Sequence, residues 1–158
     1  MQILSRAKKI FRTEISAIEA TGRILDKSFE QAVEKIAACS GRVIITGMGK
    51  SGLIGRKIAA TLSSTGTPAF FLHPAEAVHG DLGVISENDV VLAISNSGKT
   101  EEVLRILPAM RKIGARLIAI TGDPDSQLAS SADLVLPMKI SGQEKANANI
   151  AVATAVSE

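Results

Sequence analysis

The sequence predicts an α/β domain built on a five-stranded parallel sheet, and three observations point to it. Five short apolar runs, Val43–Gly47, Ala69–Leu72, Val90–Ser95, Leu117–Thr121 and Leu134–Pro137, are bounded by Gly, Asp or Ser. They do not alternate with polar residues, as expected of strands covered on both faces. Helical spacing separates them over Ser51–Ser64, over Thr100–Ile113 and, more briefly, near Asp125–Ser131. A repeated order of strand, helix, strand calls for crossover connections and a parallel sheet.

Residues 3–37 precede the first strand with helical spacing of Ile3, Leu4, Ala7, Ile10, Phe11, Ile15 and Ile18, then Phe29, Ala32, Val33 and Ile36. A break at Thr21-Gly22 and the pair Ser28-x-x-Gln31, which has the form of a capping box, predict two helices. The stretch from Phe71 to Asp89 is longer than a simple turn, with only weak helical spacing, and long loops in compact domains are often functional. One domain over residues 1–158 is expected, with helices in 1–40, the sheet core in 41–140 and a distinct segment in 141–158.

Composition excludes several classes of function. The net charge of +2 comes from interspersed residues with no basic block, and four Phe with no Trp or Tyr leave little to stack on bases. No nucleic-acid partner is expected. The single Cys39 cannot form an internal disulfide or a CxxC site, and its position suits a small apolar packing residue. No run approaches the roughly 18 apolar residues of a membrane span, and the start MQILSRAKKIFRTE lacks a signal-peptide apolar stretch. The expectation is a cytoplasmic protein with no membrane partner.

Two loops carry the chemistry. Ligands of open parallel sheets bind outside the carboxyl ends of the strands. The first such end reads Ile44-Ile45-Thr46-Gly47-Met48-Gly49-Lys50-Ser51-Gly52 and runs straight into a helix. Glycines let a backbone approach a phosphate, and the free N–H groups of a helix start attract its charge. A tight strand-to-helix turn would use the same residues. Gly-Lys-Ser also ends a Walker A loop, but position 44 is Ile where that motif needs Gly; Gly47, Gly49 and Gly52 satisfy the GxGxxG dinucleotide pattern. Neither motif accounts for the second loop, Ser95-Asn96-Ser97-Gly98-Lys99-Thr100, followed by Glu101 and Glu102. Hydroxyls at Ser95, Ser97 and Thr100 suit phosphate oxygens, and Gly98 permits the turn between them. Thr100 as a plain N-cap, with two glutamates complementing the helix dipole, reads equally well. Glutamates beside a phosphate are repulsive unless they work elsewhere on the ligand, which directs Glu102 toward a carbon or hydroxyl.

GMGKSG, STGTPAFFLHPAEAVHGDLG and SNSGKTEE together resemble a sugar isomerase (SIS) domain, in particular that of bacterial arabinose-5-phosphate isomerases of lipopolysaccharide and capsule synthesis. The resemblance runs from about Gly41 to Ile140. It implies a flavodoxin-like three-layer sandwich, interconversion of D-ribulose 5-phosphate and D-arabinose 5-phosphate, no organic cofactor, and a homo-oligomer, a tetramer arranged as a dimer of dimers. Aldose–ketose isomerisation moves a proton between adjacent carbons through an enediol, and needs a base and a group to hold the developing oxyanion. By resemblance, Lys50, His79 and Glu102 take catalytic positions. Gly49, Ser51, Ser95, Ser97 and Thr100 match the phosphate cradle, with Gly66 and Thr67 at another substrate-contacting turn. His73 matches a position credited with inhibitory zinc; a single histidine is a weak ligand set, and no metal requirement is expected.

After the fifth run the chain departs from the family pattern. Relatives continue Glu-Ala-Cys-Pro, whereas this chain reads Ser141-Gly142-Gln143-Glu144. An ungapped register puts Gln143 where relatives carry a catalytic glutamate, and a shift of one residue offers Glu144. The family's further His-Pro-Gly-Gly segment and paired CBS domains are not in this sequence. A non-catalytic, phosphosugar-binding SIS module is therefore the alternative, and nucleotide binding through GxGxxG a third reading that gives Ser95–Thr100 no job.

Overall fold

A computed structural model describes residues 2–138. Two helices lead, α1 (Gln2–Arg23) and α2 (Lys27–Ala37). The sheet follows as β1 (Val43–Gly47), β2 (Ala69–Leu72), β3 (Val90–Ile94), β4 (Arg116–Thr121) and β5 (Leu134–Pro137). Helices α3 (Gly49–Ser64), α5 (Glu101–Ile113) and the short α6 (Gln127–Ser131) link them. The long connection after β2 holds α4 (Pro74–Ala77) and a 3-10 turn at Asp81–Val84. The five strands are all parallel, in the order β2-β1-β3-β4-β5.

The strands lie within a residue of the predicted runs because their burial has no period. Every residue of β1 and β3 is buried, so both faces must be apolar. Alternate side chains feed two cores. Ile44, Val91, Ala93, Leu117 and Ala119 pack with Val103, Ile106, Leu107 and Met110 of α5 and with Ala77 of α4. Val43, Ile45, Leu92, Ile118 and Ile120 pack on the other face with Ala32 of α2 and Ala59 of α3. Helices on both faces make a three-layer sandwich.

The helix break differs from the prediction. α1 continues through Gly22, and the chain turns at Ile24–Asp26. Asp26, not Ser28, is the N-cap of α2. Its carboxylate accepts the Ser28 backbone N–H at 2.8 Å and also the Ser28 hydroxyl. These bonds, the hydroxyl's first, hold the Asp26 carboxyl below the usual carboxylate range. Asp and Ser two residues apart compete for one cap, and the charged carboxylate, the stronger acceptor, takes it.

The amino edge of the sheet is tied by Asp89, only 1% exposed. Its carboxylate accepts the backbone N–H groups of Arg42 and Ser86, both at 2.7 Å. The Arg42 guanidinium lies 5.0 Å over the Phe70 ring, 4.0 Å from Asp89, and donates to the Val84 carbonyl. Asp89 thereby fixes the end of the long connection against the start of β1. Asp89→Ala leaves two part-buried donors unpaired, so urea unfolding should show a loss of about 2–4 kcal/mol.

Candidate functional site

Strands β1 and β3 are neighbours, with Gly47 opposite Ile94 at their carboxyl ends. The two predicted loops therefore leave the sheet side by side. Each opens a long helix whose first N–H groups have no partner within the helix. At α3 the N-cap is Met48, which has no capping side chain, so Gly49, Lys50 and Ser51 form an uncapped first turn. The helix starts two residues earlier than predicted because Gly49 takes φ +56, which admits the turn directly after the strand. Close packing explains Gly52: a Cβ there would lie 2.6 Å from the Gly47 carbonyl oxygen.

At α5 the N-cap is Thr100, yet its side chain makes no capping bond. The hydroxyl lies 2.8 Å from that of Ser95 instead. A plain cap would have consumed an α5 N–H, and this arrangement leaves those groups open to an anion. Ser95 is buried at 2% exposure and supports the loop from beneath. Ser97 is exposed, and its hydroxyl accepts the Lys99 N–H at 3.2 Å. Gly98 has φ +61, and a Cβ there would fall 2.0 Å from Ser126 Oγ.

The connection after β4 braces this second loop. Gly122 N–H donates to the Asn96 carbonyl at 3.0 Å, and Leu128 N–H to the Gly98 carbonyl at 3.2 Å. Lys99 Nζ sits 3.2 Å from Asp123 Oδ2. Sequence reasoning did not single out Asp123 or Ser126. The Gly122-Asp123-Pro124-Asp125 cluster at a third strand end was the available signal.

The acids at the head of α5 differ. Glu101 pairs with Arg105 one turn on and is exposed. Glu102 is half-buried and has neither an ion pair nor a hydrogen bond among the described residues. Lys50 is exposed in the first turn of α3. His73 follows β2 at the same sheet edge. Its ring meets Phe71 edge-on at 6.3 Å, and its buried Nδ1 has no partner among the described residues. Arg56 of α3 stacks 4.4 Å over the other ring of that pair, Phe71. His79 is exposed beyond α4, its backbone N–H donating to the Glu76 carbonyl at 2.9 Å. Among the described residues no group of three His, Cys, Asp or Glu side chains could hold a metal.

Not every candidate gathers at this edge. Gly66 and Thr67 lie between the end of α3 and the start of β2, where Pro68 O accepts the Val43 N–H at 2.8 Å. That is the amino edge, separated from the loops by the length of α3, about 24 Å for 16 residues. Within one chain they cannot touch a ligand held at Ser95–Thr100. Glu144 and Gln143 fall outside the described residues.

Known proteins resemble this chain in sequence and in fold. Arabinose 5-phosphate isomerase KdsD of Pseudomonas aeruginosa is 46% identical over 96% of this chain and 46% of its own length. Arabinose 5-phosphate isomerase KpsF of Escherichia coli is 42% identical over the same shares. The chain spans about half the length of these curated relatives. The structure of E. coli CFT073 c3406 in complex with arabinose 5-phosphate superposes with a TM-score of 0.91 at 37% identity, covering 99% of this chain and 86% of that one. No helix among the described residues is long and apolar enough to cross a membrane. The SIS domain model matches residues 36–157, spanning all five strands and both loops, and the chain belongs to the SIS domain family.

Proposed function

We propose that this domain binds a sugar phosphate and interconverts D-ribulose 5-phosphate and D-arabinose 5-phosphate. The observation that carries the reading is the pair of uncapped helix starts, α3 and α5, at adjacent strand ends. Two sets of open N–H groups with the Ser51, Ser97 and Thr100 hydroxyls suit a phosphate dianion. The 46% identity to an arabinose 5-phosphate isomerase and the likeness to a structure in complex with arabinose 5-phosphate support the substrate class.

With phosphate in the cradle, the sugar extends past the head of α5. Glu102, uncommitted to any ion pair among the described residues, is the base. Its carboxylate takes a proton from C1 of the ketose, and the electron pair forms the C1–C2 double bond of an enediolate. The same acid returns the proton to C2 while a hydroxyl proton moves from O1 to O2. The Lys50 ammonium offsets the oxyanion charge, and the exposed His79 serves ring opening or proton relay. Where the register shifts by one residue from Gln143, the resemblance offers Glu144 as a further acid of this reaction. By resemblance His73, whose Nδ1 has no partner among the described residues, is the position credited with inhibitory zinc, but no group of three metal-ligating side chains surrounds it among those residues and no step runs through a metal.

A non-catalytic phosphosugar-binding module is the second reading, favoured by Gln143 at the position of a family acid. Glu102→Gln discriminates between the two. For an enzyme it should lower kcat about 10²- to 10⁴-fold with KM changed little. Both product formation and exchange of carbon-bound hydrogen with solvent report it by NMR. Binding with no exchange in the unmodified chain would leave the module reading.

Cytoplasmic placement fits the same substrate. A homo-oligomer, in full a tetramer as a dimer of dimers, fits the apolar residues of α1: Ile3 is 86% exposed, Leu4 71%, Phe11 65% and Ile15 55%. Sedimentation at micromolar concentration should give a species larger than a monomer, and Phe11→Asp with Ile15→Asp should reduce it. Gly98→Ala should raise KM for the phosphosugar at least tenfold and cost about 1–3 kcal/mol of stability, because its φ is positive and Ser126 fills the space. Steady-state kinetics and thermal melts test both effects.

A further inference from the structure

We infer that Lys99 and Asp123 form a charge pair that tunes phosphate affinity, with Lys99 shared between Asp123 and the bound phosphate. The inference rests on the phosphate site proposed above. Lys99 lies within the second loop, between Gly98 and the uncapped N-cap Thr100. Its ammonium is 3.2 Å from Asp123 Oδ2, with 69% of the Lys99 side chain and 35% of the Asp123 side chain exposed. An exposed pair of this kind is weakly held. A lysine stem is flexible and its ammonium carries three rotatable donors, so it can turn from a carboxylate toward a nearby anion.

The arrangement needs an explanation because a carboxylate beside a phosphate site repels the ligand. Asp123 belongs to the connection that braces the loop through Gly122 and Leu128. Its own backbone N–H donates to Thr121 Oγ1 at 3.2 Å, and its Oδ1 accepts the Asp125 N–H at 3.1 Å. Asp123 is thus fixed at the loop by bonds that do not involve Lys99. Lys99 neutralises it, and with phosphate present supplies a cation at the loop itself. At the same helix start Glu101 pairs with Arg105, and Glu102 has no ion pair among the described residues.

Two roles for the pair predict opposite signs. If Lys99 contributes charge to the ligand, removing Asp123 frees it and tightens binding. If the pair merely holds the loop in shape, removing either partner weakens binding. The test is calorimetric titration of inorganic phosphate into the 158-residue chain, with K99Q, K99R, D123N and S97A. Expected are weakening of about five- to tenfold for K99Q, near-recovery in K99R, and tightening of about two- to threefold for D123N, the last fading at high salt. Weakening in D123N equal to that in K99Q, or no change in K99Q, overturns the inference. S97A separates the two layers. Loss of binding in S97A with none in K99Q sinks only the Lys99 proposal, whereas full binding in S97A sinks the phosphate loop and the inference together. Circular dichroism melts confirm that each variant is folded.

Discussion

The pairing of β1 with β3 is the constraint on which the site depends. These two strands are buried along their whole length, so their register is held by both cores at once. A slip of one residue would turn every apolar side chain to the opposite layer. Holding Gly47 opposite Ile94 brings two independent helix starts to one point, and neither is closed by a side chain. Each open start loses a cap that would otherwise stabilise it by about 1 kcal/mol. Parallel strands favour this arrangement, because every crossover helix must begin at the same edge. The proposed binding function would therefore draw on backbone groups set by topology, with the side chains refining it.

The strands were legible because burial on both faces writes a continuous apolar run, which is hard to mistake when Gly, Asp or Ser ends it. The loops were legible for a related reason: glycine and hydroxyl residues crowd strand ends where backbone must come close to something. What could not be read were choices between chemically similar neighbours. Asp26 and Ser28 both cap helices, and only the turn geometry selects Asp26. Thr100 reads as a cap from its position, but its hydroxyl bonds Ser95, a contact across five residues that no periodicity encodes.

Distances through space were illegible for the same reason. Gly66 and Thr67 come early in the chain after the first loop, yet α3 carries them to the far edge. Asp123 is distant in sequence from Lys99 and touches it because β4 lies beside β3. Glu101 and Glu102 look alike in sequence; one has an arginine four residues on and the other does not, which only side-chain placement shows to matter.

The two edges of the sheet carry different burdens. At the amino edge, the buried Asp89 accepts two backbone N–H groups and Arg42 is held by a ring, a carboxylate and a carbonyl. At the carboxyl edge, Lys50, Ser97 and His79 are exposed, and both helix starts are without a capping side chain. An evolving lineage thereby receives a rigid foundation and a rewritable rim. Exchanges at the rim alter what is recognised without disturbing the bonds beneath it, so one scaffold can diversify its ligands while its folding stays under a separate set of selective pressures.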